Sequence, residues 1–115
     1  MWRAALKTAQ AEVEARPDAF GSLNLGAAKL HLGDARGAAR AFDAAQQLRP
    51  DASLDPTRPA SAVGGWPWRT LWYRFEPLDA YLRVGRKAEV QRLTAATLHN
   101  TPRHKELLAW QRRSQ

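Results

Sequence analysis

The chain has 115 residues, of which 44% are apolar and 25% charged, with a formal charge of +7 and no cysteine. That is one domain's worth of sequence with a modest core, and the lack of cysteine excludes disulfides, thiolate nucleophiles and Cys/His zinc sites. No stretch approaches the roughly 18 apolar residues of a membrane span, and no apolar signal core follows the N-terminal MWRAALK, so a soluble, cytoplasmic chain with no membrane partner is expected.

In chain order, Ala4 to Ala15 reads as a helix closed by Pro17, giving a first segment over 1–17. Asp18 can cap a helix from about Ala19 to Leu32 that carries Phe20, Leu23, Leu25, Ala27, Ala28, Leu30 and Leu32. Gly33-Asp34 turns the chain. A second helix from about Ala35 to Leu48 places Ala38, Ala39, Phe42, Ala45 and Leu48 at three- and four-residue spacing and stops before Pro50, so 18–50 forms an antiparallel pair. Residues 51–65, with Pro56, Pro59 and Gly64-Gly65, mark a loop.

Residues 66–102 repeat the pattern: helical from Trp68 to Val84, a turn at Gly85, a helix from about Lys87 to Leu98 with Val90, Leu93, Ala96 and Thr97, then Pro102. Pro77 interrupts the first of these, which predicts a break there with Pro77 at or near the first position of the next helix. A terminal helix is expected from Arg103 to Arg113, within 103–115.

Gly33 precedes Pro50 by 17 residues and Gly85 precedes Pro102 by the same 17, so one unit occurs twice. The two glycines stand 52 residues apart, about 18 more than a repeat of roughly 34 residues requires, which makes the loop an insertion. The helices at either end read as half-repeats whose apolar flanks lack a neighbour, as in a piece of a longer array or a subunit that assembles.

These residues resemble the tetratricopeptide repeat (TPR), with Ala19 to Ala52 the better copy: Leu25-Gly26 falls at the family's Leu-Gly pair, Gly33 at the turn, and Ala38, Phe42, Ala45 and Pro50 at the small, aromatic, small and proline positions. Ser22 and Lys29 replace the usual tryptophan and tyrosine. The copy from Leu71 to His104 keeps Tyr81, Gly85 and Pro102 but has Leu78, Val90, Thr94 and Thr97 in place of glycine, alanine, aromatic and alanine. Residues 65–77 are similar to a segment in TPR regions of large multidomain bacterial proteins, some of which carry a cysteine-peptidase-like domain, a catalyst this cysteine-free chain does not contain.

The resemblance implies an all-α, TPR-like α-solenoid: an antiparallel helix-hairpin array of about six helices with a long proline- and glycine-rich insertion. It also implies a scaffold that binds a peptide or partner protein and is not an enzyme. The inward positions of its first helices include Leu23, Asn24, Ala27 and His31 in one copy and Phe75, Glu76, Asp79 and Arg83 in the other. Leu23 and Ala27 stand where the family's carboxylate clamp has lysine and asparagine, which argues against a receptor for C-terminal tails.

The candidate peptide-binding set is Asn24, His31, Trp72, Phe75, Glu76, Asp79 and Arg83. Trp66, Trp68, Trp72, Tyr73 and Phe75 form the densest aromatic run, expected to fill a core at the junction of the two copies, with a recognition surface as the alternative. Glu76 and Asp79 share a helix face but no HExxH or Glu-x-x-His pattern joins them, so neither a cofactor nor a metal is expected.

Residues 66–115 carry a net +6, which favours an acidic partner. Arg69, Arg74, Arg83, Arg86, Lys87 and Arg92 make nucleic acid the rival class, although no nucleic-acid motif accompanies them. Self-association through the terminal half-repeats is the other alternative.

Overall fold

The computed structural model describes residues 1–16, 19–47, 74–99 and 101–115. Among them are six α-helices and no strand: α1 (Trp2–Ala15), α2 (Ala19–His31), α3 (Ala35–Gln47), α4 (Glu76–Arg83), α5 (Lys87–Leu98) and α6 (Lys105–Arg113). The expected loop over 51–65, and the stretch from Trp66 to Tyr73, lie outside the described residues. The chain is an all-α array of helix hairpins. Each helix packs on the next across every described connection, and α4 also reaches back onto both α2 and α3.

The two reversals are made by the same backbone device. Gly33 has φ +92° and Gly85 φ +82°, the left-handed region that costs an L side chain about 1–2 kcal/mol. The Gly33 amide donates to the Leu30 carbonyl at 3.0 Å and the Asp34 amide to Lys29 at 2.8 Å. Fifty-two residues later, the Gly85 amide donates to Leu82 at 3.1 Å and the Arg86 amide to Tyr81 at 2.8 Å. Both are Schellman turns, which satisfy the last carbonyls of α2 and α4.

The residue after each turn glycine plays a different part in the two hairpins. Asp34 Oδ1 accepts a hydrogen bond from the Gly37 amide at 2.9 Å and so caps α3. Arg86 holds the equivalent position before α5, which has no side-chain cap.

Helices α2 and α3 approach closely because Gly26 lacks a side chain: a Cβ there would lie 2.5 Å from the Phe42 ring. Phe42 is fully buried with Leu23, Ala38 and Ala45 around it in one continuous core that also takes in Leu78, Tyr81, Val90, Leu93 and Leu107. In α5 the buried Thr94 and Thr97 donate their hydroxyl hydrogens to the carbonyls of Val90 and Leu93, at 2.8 and 2.9 Å. Polar residues at core positions are thus satisfied within their own helix.

Helix α4 starts at Glu76 with Pro77 in its first turn and Phe75 at its N-cap, as the proline predicts. A proline's missing N–H costs nothing where no intrahelical acceptor exists. Helix α6 begins at Lys105, two residues later than its sequence suggests, because His104 serves as N-cap, its Nδ1 accepting from the Leu107 amide at 3.4 Å.

Candidate functional site

Helices α2, α4 and α6 line one concavity of about 360 Å³, formed by Leu30, His31, Phe75, Glu76, Asp79, Arg83 and Trp110. These are the first helix of each hairpin and the terminal helix beyond, so one side of the array is built from alternate helices. Three of its lining side chains, Leu30, Phe75 and Trp110, are apolar. Phe75 is half-buried against the core and meets His104 edge-on, ring centroids 6.0 Å apart.

The polar side chains of this concavity are paired loosely. Asp79 accepts from Arg83 through both oxygens, Nε to Oδ1 at 2.9 Å and Nη2 to Oδ2 at 3.3 Å. That hydrogen bond and the Asp79 charge raise the Arg83 pKa above its ordinary value. His31 Nε2 lies 3.9 Å from Glu76 Oε2, and its ring stacks on the Trp2 indole at 3.9 Å with the planes 7° apart.

Trp2 connects this space to a second concavity of about 410 Å³ between α1 and α2, lined by Trp2, Ala5, Thr8, Ala9, Glu12, Asn24, Ala27, Arg74 and Glu76. Glu76 lines both, so the two concavities adjoin at the start of α4 on the front of the array. Arg74, in the second of them, donates from Nη2 to the Leu23 carbonyl at 3.4 Å.

On the opposite side of α4 lies a tighter network joining α3, α4 and the start of α5. Arg86 grips Asp43 with two parallel hydrogen bonds, Nη1 to Oδ2 at 2.8 Å and Nη2 to Oδ1 at 2.9 Å. Its guanidinium also lies over the Tyr81 ring, 4.5 Å from the centroid. The Tyr81 hydroxyl donates to Asp43 Oδ1 at 2.9 Å and accepts from Gln46 Nε2 at 2.7 Å. Gln46 Nε2 also donates to Glu89 Oε1 at 3.0 Å, and Arg92 Nη2 donates to both Glu89 and Gln46.

Burial and pairing compete at these groups. Burial pulls the Asp43 carboxyl upward, but hydrogen bonds from Arg86 and Tyr81 and the Arg86 charge outweigh it and leave its pKa below the ordinary value. Glu89 follows the same logic, with burial overcome by Arg92, Gln46 and Arg86. Burial pushes the Tyr81 phenol far above its usual range, helped by the Asp43 charge and hydrogen bond.

Of the seven sequence-derived candidates, His31, Phe75, Glu76, Asp79 and Arg83 meet in the first concavity and Asn24 lies in the second. Trp72 is outside the described residues. Leu23, an expected inward position, is instead fully buried in the core, and Ala27 is 4% exposed. Sequence reasoning missed Leu30, Trp110 and Trp2. Trp110 had a usable signal, since it stands 34 residues after Glu76, one full repeat period in register. Trp2 had none.

The arginine-rich set is largely engaged within the chain: Arg74, Arg83, Arg86 and Arg92 each donate to an acceptor of the chain itself, and Arg69 is outside the described residues. At the ends of the array, Leu107 of α6 is fully buried, and the large hydrophobics exposed among the described residues are Met1 and Leu32. Compared with protein-family models, with curated proteins and with solved structures, the chain matches none.

Proposed function

We propose that this chain is a TPR-like interaction module that binds a peptide segment of a partner protein in the groove formed by α2, α4 and α6. The observation that carries this reading is the grouping of Leu30, Phe75 and Trp110 with His31, Glu76, Asp79 and Arg83 around one concavity. Aromatic anchors beside adaptable polar groups are what an amphipathic peptide needs: the apolar part supplies most of the affinity and the polar part supplies register.

The polar pairs suit exchange. An exposed Arg–Asp pair at i,i+4 is screened by water and stabilises a helix only weakly, so Arg83 can transfer to a partner's carboxylate at little cost. A net charge of +7 further favours encounter with an acidic partner. Nucleic-acid binding has less in its favour, because Arg74, Arg83, Arg86 and Arg92 already donate to acceptors of the chain itself; self-association is the second reading, favoured by α1, in which Ala9 is the buried residue and most others are exposed.

A panel of acidic amphipathic peptides titrated into isotope-labelled protein tests the proposal. Amide shifts should concentrate on α2, α4 and α6. Arg83→Glu should weaken the best peptide about tenfold, equivalent to about 1.4 kcal/mol, with circular dichroism unchanged. Shifts confined to α3 and α5, or equal affinity for the variant, would refute the assignment.

A further inference from the structure

We propose that the Arg86–Asp43 bridge is a positioning device, which sets the width of the front groove from the back of the array. The inference rests on the reading of that groove as the binding face.

Helix α4 has only eight residues, and it carries both surfaces. Tyr81 faces the network behind it, whereas Glu76, Asp79 and Arg83 face the groove in front. A short, hydrogen-bonded helix moves as one body, so whatever fixes Tyr81 and the α4–α5 turn against α3 also fixes those three residues. Arg86 does this at the turn itself: its planar fork spans both Asp43 oxygens while its face rests on Tyr81, which shares the same carboxylate. Such a fork defines orientation as well as distance. Through α5, the same anchor positions α6 and Trp110.

The contrast with the first hairpin supports a positioning role over simple stabilisation. At the equivalent place Asp34 caps its own helix, a local contact. Arg86 leaves α5 uncapped and reaches 43 residues back along the chain instead. Both partners remain partly exposed, side chains 40% and 34%, so the bridge adds little to global stability while constraining geometry.

The absence of cysteine allows clean site-directed spin labelling at Leu32→Cys and Lys105→Cys, on the α2 and α6 sides of the groove. Pulsed electron resonance should report a displaced and broader distance distribution in Asp43→Asn and in Arg86→Gln, by about 2 Å or more, the scale on which packed helices slide. The double variant should move no further than either single one, because both changes remove the same bridge. Unchanged distances in folded single variants, or displacements that add in the double, would overturn the proposal. Titrating the same proteins with an acidic amphipathic peptide separates the premises: displaced distances with no peptide binding by the unsubstituted protein would retain the bridge and remove the binding reading.

Discussion

In the first hairpin Gly26 lies under the Phe42 ring, while 52 residues on the same two positions hold Leu78 and Thr94, both fully buried. The small residue has moved from the first helix to the second and the large one the other way. Similar volume between two helices can therefore be supplied from either side, so the residue pattern can change at a core position while the turn and the helix order persist. The turns carry the likeness between the hairpins more faithfully than the core does, since φ near +90° and a pair of reversed hydrogen bonds admit few solutions.

The strongest way to break the comparison is at that exchanged pair. Phe42→Ala should destabilise the protein by about 3–5 kcal/mol in chemical denaturation, the range for emptying a buried aromatic site. Gly26→Leu should cost about 1–3 kcal/mol by overpacking. Combining Gly26→Leu with Phe42→Thr transplants the second hairpin's solution into the first, and should be less destabilising than the sum of its parts. An additive double variant would show that the two hairpins do not share a packing scheme.

The turns offer the next largest effect. Gly33→Ala and Gly85→Ala should each cost about 1–2 kcal/mol, and nothing surrounds either position that could change the sign. Unequal losses measured under identical conditions would mean the two turns are not equivalent. Asp34→Ala should cost about 1 kcal/mol and speed hydrogen exchange in the first turn of α3 alone.

The smallest effect sharpens the difference between Asp34 and Arg86. Asp43 and Glu89 have depressed pKa values in the folded protein, so their contribution is present above the ordinary carboxyl range and is lost as pH falls through their folded values. Tyr81 has a raised value, so its contribution is intact below its ordinary pKa of 10 and fades as pH rises above it. Denaturation followed across pH should show a shallower acid decline in Asp43→Asn than in the unsubstituted protein; an identical acid limb would show that the bridge does not set this pH dependence.

Much of this was legible in the sequence because helices are local. Apolar spacing and the two glycines placed α2, α3 and α5 within a residue or two, and Pro77 marked the start of α4. Six residues of the two concavities were legible because a 52-residue register aligns His31 with Arg83 and Asn24 with Glu76. The network behind the groove was not. Asp43, Gln46 and Glu89 read as ordinary solvent positions on amphipathic helices, and nothing local to Arg86 shows that its partner lies 43 residues away.

Among the described residues, the sequence by itself determined which segments are helical, where the two glycine turns fall and which side of a helix is apolar, since these follow from backbone sterics and periodicity within a few residues. Tertiary structure alone decided that Leu23 enters the core, that Trp2 stacks on His31 and that Trp110 joins Phe75 at one groove. Those outcomes depend on the crossing of helices distant in the chain, which is set by the fit of particular side chains and not by any pattern within one helix.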